Sequence, residues 1–109
     1  MATNTFTSYM NKNVGTSAAT VVTVGSSTQT TVIGMSCSNT TTSPVTVDAY
    51  VTRSPTDYYL VKSATVPVGG SLVIIGGDQK LVIVTGDVLK VVSSAANSID
   101  VVTSVLNIT

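Results

Sequence analysis

The feature that most constrains the fold is a strictly alternating run at Val45–Val51. Valine or alanine occupies every second position of this run, and polar or aromatic residues occupy the positions between them. Because successive side chains of a β-strand point to opposite faces, this run predicts a half-buried antiparallel strand. Similar short runs recur about every ten residues, separated by turn clusters such as Asn39–Pro44 and Ser54–Asp57.

The composition supports the same fold class. The chain has 109 residues, of which 20 are Val and 19 are Thr, and branching at Cβ favours pleated strands over helices. Connections this short exclude the helical crossovers that a parallel sheet needs. The sequence therefore predicts one antiparallel β-sandwich domain, Ig-like or jelly-roll-like, with seven to nine short strands over residues 18–109. Its predicted core comprises Ile33, Met35, Val47, Ala49, Val51, Leu81, Ile83, Leu89, Val91, Ile99 and Val101.

Residues 1–17 are polar and weakly patterned, and we predict that they form an N-terminal arm. Phe6, Tyr9 and Met10 are its large apolar residues before Val14. Ordering each backbone residue costs about 1–2 kcal/mol, more in total than three apolar anchors return. We therefore expect the N-terminal arm to become ordered against another chain, with Phe6 as the main anchor and Tyr9 and Met10 beside it.

The charge content excludes several function classes. Five basic and five acidic residues give a net charge of zero, whereas phosphate backbones and anionic membranes attract basic surfaces. The chain contains neither His nor Glu, so an imidazole base and the commonest metal ligand are missing. We predict no enzymatic activity, no cofactor, no metal site, no nucleic-acid partner and no membrane partner.

The residues that could take part in catalysis or metal binding have simpler structural interpretations. Asp78 and Asp87 each follow a glycine, and a carboxylate in such a turn usually bonds its own backbone. Cys37 has no His to activate it and lies in a strand pattern, which predicts an inert core residue. The sequence thus offers no catalytic constellation.

Tyr50, Tyr58 and Tyr59 form an aromatic group near a predicted turn. Tyrosine is enriched at protein interfaces and can also stack on sugars. The group could equally cap the core, so interface, ligand platform and core cap remain open at this stage.

Several segments together resemble small virion structural proteins of tailed bacteriophages, in particular phages of cyanobacteria and other aquatic hosts. The segments that carry the resemblance are Thr40–Asp48, Tyr59–Lys62, Val66–Leu72, Gly76–Leu81, Gly86–Val91 and Ser98–Val101. The resemblance covers about Val14 to Thr109 and consists of turn and strand motifs. It implies a non-enzymatic, multi-copy particle component: a capsid decoration or cement protein, or a neck or tail accessory subunit.

The segment Met1–Phe6 lacks the basic and apolar regions of a signal peptide. We therefore expect synthesis in a bacterial host cytoplasm and a final location in the virion. The expected partners are other virion structural proteins and copies of the chain itself, as a homo-oligomer. The alternative function is a carbohydrate-binding module on the virion surface, with the three tyrosines as its platform.

Overall fold

A computed structural model describes residues 3–76 and 79–109 of the chain. Within these residues nine β-strands form two antiparallel sheets, and no helix occurs. This confirms the predicted all-β sandwich. The strands are β1 (Asn4–Val14), β2 (Ala19–Thr23), β3 (Gln29–Asn39), β4 (Val45–Arg53), β5 (Thr56–Val66), β6 (Ser71–Ile75), β7 (Leu81–Val84), β8 (Val88–Ser93) and β9 (Ile99–Ile108).

Sheet A has the strand order β1-β9-β3-β6, with β7 pairing to the first half of β3. Sheet B has the order β2-β8-β4-β5. The strands β1, β6 and β7 therefore lie at the edges of sheet A, and β2 and β5 lie at the edges of sheet B. The sequence pattern predicts two short strands here, Tyr58–Lys62 and Thr65–Val68, whereas the structure has the single continuous strand β5.

Apolar side chains from both sheets fill the space between them. The confirmed members of the predicted core, all buried, are Met35, Val47, Ala49, Val51, Ile83, Leu89, Val91, Ile99 and Val101. Burying one such aliphatic side chain contributes roughly 1.5–3 kcal/mol, so this shared interior is the main source of stability. Val66, Ile75 and Val105 are also buried but were not predicted.

Two predicted core residues are only half-buried, and β3 explains one of them. The pairing of β3 with β9 shifts register between Val32 and Gly34. Such a bulge reverses which side chains face inward. Thr30 and Val32 are buried before the shift, and Met35 is buried after it, which leaves Ile33 on the outer side. The second, Leu81, begins the short edge strand β7, where less of sheet B covers it.

The N-terminal arm has a place in sheet A. Its residues Asn4–Val14 form β1 and pair with β9 from Asn4 opposite Ile108 to Val14 opposite Ile99. This corrects the expectation that the segment finds no partner strand on its own domain. Within β1 mainly Tyr9 and Val14 pack against the interior, so the alternation of apolar residues along this strand is weak. Backbone hydrogen bonds to β9 are therefore what chiefly holds β1 in the sheet.

Candidate functional site

The structure separates the three residues predicted to anchor the N-terminal arm. Phe6 and Met10 lie on the outer side of sheet A, where their exposed fractions are 74% and 72%. Tyr9 lies on the inner side and packs against the core, and its hydroxyl accepts a hydrogen bond from Asn107 Nδ2 at 3.4 Å. Phe6 and Met10 are therefore available to a partner, whereas Tyr9 holds β1 on its own domain.

The outer side of sheet A carries two apolar rows that cross the strands. Directly paired residues of neighbouring strands lie on the same face of a sheet. One row joins Phe6 of β1 to Leu106 of β9, Thr31 of β3 and Val82 of β7. We call this surface the outer apolar face and define it by its exposed members Phe6, Met10, Val73, Val82 and Val102.

The second row joins Met10 to Val102, Ser36 and Val73. Between the two rows lie Ser8 and Ser104, which are small and polar. The outer apolar face is thus a ribbon of alternating apolar and hydroxyl-bearing residues. Exposed apolar side chains that cluster in this way are typical of protein interaction sites.

One end of this surface carries an ion pair. Lys12 Nζ lies 3.3 Å from Asp100 Oδ2, and the backbone N–H of Asn13 donates to Asp100 Oδ1 at 3.0 Å. The Asn13 hydrogen bond, together with Lys12, lowers the pKa of Asp100 from its ordinary value of 3.8. The pair neutralises itself, so another neutral surface can approach without a strong opposing field.

The structure brings two of the three predicted tyrosines together. The rings of Tyr50 and Tyr59 lie on the outer side of sheet B with centroids 4.9 Å apart, and Lys62 Nζ stands 4.5 Å from the Tyr59 ring. Partial burial is the main cause that raises the pKa of the Tyr50 hydroxyl. Tyr58 faces the other side of β5, opposite Val51, with an exposed fraction of 59%. No single platform therefore contains all three rings.

A cleft of about 350 Å³ lies between β5 and β7, at the side of the sandwich opposite β1. It is lined by Val51, Arg53, Tyr58, Tyr59, Leu60, Leu81, Val82 and Ile83. Apolar side chains dominate its walls, and Arg53 supplies the charged group. The cleft has room for a short side chain or a small polar ligand.

Arg53 is held by an ion pair that the sequence did not predict. Its Nε and Nη2 donate to the two carboxylate oxygens of Asp87 at 2.9 and 2.7 Å. Asp87 is buried and also accepts the backbone N–H of Val84 at 2.9 Å. The Arg53 hydrogen bond lowers the pKa of Asp87 and raises that of Arg53. Thirty-four positions separate the two residues, so local pattern gave no signal for this pair.

The remaining candidates offer little chemistry. Cys37 is fully buried, and burial raises the pKa of its thiol to about 12, which removes the reactive thiolate at neutral pH. Asp87 does lie in a turn, with its N–H bonded to Val84 O, whereas Asp78 lies outside the described residues. Residues 3–76 and 79–109 contain no cluster of three or more metal-ligating side chains. Over the same two ranges, no helix has the length and apolar content needed to cross a membrane.

Comparisons with known proteins give a fold likeness. No protein-family model matches the chain, and no curated protein matches it. A solved structure from Bacillus endospore appendages, described as a family of disulfide-linked pili, is similar with a TM-score of 0.57 and 17% sequence identity. The match covers 97% of this chain and 86% of that chain. At this identity the likeness shows a shared sandwich fold.

A second solved structure is more distant. A chain from infectious bursal disease virus, Gt strain, has a TM-score of 0.44 and 9% identity over 99% of this chain and 32% of that chain. This match is too weak to support an argument. The first comparison agrees with the observed architecture, because the chain shares a β-sandwich fold with a protein of Bacillus endospore appendages.

Proposed function

We propose that this protein is a non-enzymatic structural subunit of a bacteriophage virion. Within that class we assign it to capsid decoration or cementing, or to the neck or tail as an accessory subunit. It acts through contacts with other virion proteins and with copies of itself, as a homo-oligomer. It is made in the bacterial host cytoplasm and ends in the virion.

The outer apolar face is the observation that carries this proposal. Phe6, Met10 and Val73 expose well over half of their surface on one side of a neutral sheet. Each exposed Phe or Met that a partner covers contributes roughly 1.5–3 kcal/mol, and the face needs few charges to be stripped of water. The shared fold with an appendage protein is in keeping with this role.

A particle-incorporation experiment tests the proposal. The double variant Phe6→Ser, Met10→Ser removes two exposed apolar side chains and leaves Tyr9 in place to hold β1. We expect it to melt within a few degrees of the wild type and to lose incorporation into particles. The matched control is Tyr58→Ser on the opposite edge, which should incorporate normally. Normal copy number for the double variant would overturn the role of this face, and a reconstruction without the chain would overturn the virion assignment.

Carbohydrate binding on the virion surface is the second candidate function. The observation that favours it is the tilted pair Tyr50–Tyr59 with Lys62 over one ring, next to the cleft that Tyr58 lines. Sugar rings stack on such aromatic faces. The chain has no Trp, so a sugar-induced change in fluorescence would report on tyrosine. Binding on a glycan array that Tyr59→Ala abolishes would establish this function, and silence across the array would remove it.

A further inference from the structure

The free edge of β1 has a regular row of unused backbone groups. Thr3 and Thr109 exchange two hydrogen bonds, with Thr3 N to Thr109 O at 2.8 Å and Thr109 N to Thr3 O at 2.9 Å. In an antiparallel ladder the residues that bond the neighbouring strand alternate with residues whose N–H and C=O point away. The backbone groups of Asn4, Phe6, Ser8 and Met10 therefore point away from β9.

These groups have no backbone partner among the residues that the structure describes. The half of β1 that carries them, Asn4–Met10, contains no Pro, Gly or charged residue and pairs with β9 in unbroken register. Proteins usually protect such an edge with a lysine, a proline or a bulge, because an open edge recruits another strand. On β1 these protecting features occur only towards its C-terminal end, where Lys12 carries a charge and the register shifts between Asn11 and Val14.

We propose that the segment Phe6–Met10 of β1 pairs antiparallel with the same segment of a second copy of the chain, about a two-fold axis at Ser8. The inference rests on the proposed role as a structural subunit that contacts copies of itself. The pairing joins the two A sheets into one continuous sheet. It sets Phe6 opposite the partner subunit's Met10 and Ser8 opposite the partner subunit's Ser8.

Side-chain chemistry favours this register and a second copy as the occupant. In this register Phe6, Ser8 and Met10, whose backbone groups point outward, face one another across the seam, so the pairing forms about six backbone hydrogen bonds. Phe6 and Met10 become cross-strand neighbours, and the sulfur–aromatic contact that results is favourable. A two-fold register one position away, centred on Thr7, would set Phe6 against a serine and leave its apolar surface less well covered.

The inner side of β1 is compatible with the same partner. Asn11 Nδ2 donates to Thr20 O at 3.0 Å, so β2 lies beneath the C-terminal half of β1. Thr5 and Thr7 point to the same side but remain exposed. The two-fold axis at Ser8 places the β2 strands of the two copies at opposite ends of the seam, where they do not collide. Since the chain has zero net charge, two copies also approach without repulsion.

A pair of matched lysine variants tests the inference. Ser8→Lys would set two ammonium groups face to face across the seam, whereas Ser104→Lys adds the same charge one strand further in on the same face. Sedimentation equilibrium of the full chain should show a dimer for the wild type and for Ser104→Lys. For Ser8→Lys we expect a dissociation constant raised by at least about tenfold. Equal behaviour of the two variants, or a monomeric wild type at high concentration, would overturn the pairing.

Disulfide trapping fixes the register independently. Under mild oxidation Ser8→Cys should form a covalent dimer and Ser104→Cys should not, while buried Cys37 stays reduced in both. Absence of the Ser8→Cys dimer in a wild-type-like oligomer would overturn the register at Ser8. These readouts use the free protein, so their failure differs from failure of the proposed function, which would appear as absence of the wild-type chain from particles while β1 pairing stays intact.

Discussion

Two of the edge strands, β1 in sheet A and β5 in sheet B, are equally long, yet their free edges differ. Both span 11 residues and both end a sheet. Against β4, β5 shifts register on either side of Ala49, and Ser63 has a left-handed backbone with φ of 55°. Against β9, the half of β1 before Asn11 has no such shift. One edge is irregular and the other continues as a flat template.

Side chains strengthen the contrast. On β5 the backbone N–H of Ser63 donates to Asp48 Oδ1 at 2.6 Å, and Lys62 Nζ lies 3.6 Å from Asp48 Oδ2. The Asp48 carboxylate thus accepts the backbone N–H of Ser63 and holds the ammonium group of Lys62 beside β5. A strand that added here would meet a charge and a kinked backbone. The free edge of β1 is thus open to the addition of another strand, whereas the free edge of β5 is closed to it.

The largest expected effect comes from disrupting the interior that both sheets share, because both edge strands are held in place by it. Val47 of β4 is 1% exposed and lies between the sheets. Val47→Asp would bury a carboxylate without a partner, and we expect a loss of more than about 4 kcal/mol in the free energy of unfolding. Urea denaturation would measure it. A variant that unfolds at nearly the wild-type urea concentration would show that Val47 does not face the interior.

The ion pair beside β5 provides the next largest effect. Asp87→Ala removes the acceptor of the Val84 N–H and both hydrogen bonds from Arg53. An unsatisfied buried donor costs about 1–3 kcal/mol, so we expect a loss of that size. The exposed Asp57→Ala is a matched control and should change stability little. Because Asp87 is not part of β1, dimerisation of the folded variant should be unchanged.

Acid titration compares the carboxylates at the two sides of the molecule. The pKa values of Asp87 and Asp100 are both lowered below 3.8 in the folded protein. Lowered values mean that the folded state binds these protons less readily than the unfolded chain, so their stabilisation is complete above about pH 4. It is lost as the pH falls through the folded pKa values. Asp87→Asn should flatten the acid dependence of melting more than Asp100→Asn, because Asp87 accepts two hydrogen bonds from Arg53 and one from Val84, whereas Asp100 accepts one each from Lys12 and Asn13. The reverse order would contradict this assignment.

The contrast between the edges also shows what the sequence could reveal. The sequence pattern also predicts strands at Val45–Arg53, Ser71–Ile75, Val88–Ser93 and Ile99–Ile108, and these are the bounds that the structure has. Turn residues precede each of these strands, and the local pattern was enough to locate them. The strand β1 in the N-terminal arm was harder to predict, because its backbone pairing with β9 produces no apolar alternation in a run of Thr, Asn and Ser.

Other features could not be predicted because they depend on distant residues. The bulge in β3 arises where a neighbouring strand sets the register, and it moved Ile33 off the core face. The ion pair of Arg53 and Asp87 joins residues whose proximity follows from the sheet order alone. Two properties of the candidate site residues could be assigned only from the sheet face on which each side chain lies. These are the exposure of Phe6 and Met10 and the separation of Tyr58 from Tyr59. The roles of these residues stay predictions.

The smallest expected effect comes from removing a protecting charge from the edge strand β5. Lys62→Val takes away the lysine over Tyr59 and the 3.6 Å contact with Asp48. An exposed contact of this kind contributes about 0.5–1 kcal/mol, so melting should shift only slightly.

Self-association of this variant should rise little, because the register shifts near Ala49 and the left-handed backbone at Ser63 remain and still interrupt the edge. Sedimentation of Lys62→Val in the Ser8→Lys background measures this directly, since pairing through β1 is then weakened. If that double variant dimerised as strongly as the wild type, the lysine rather than the irregular backbone would be what keeps the β5 edge closed. A double variant that stays monomeric would assign the protection to backbone geometry, which a single surface substitution does not remove.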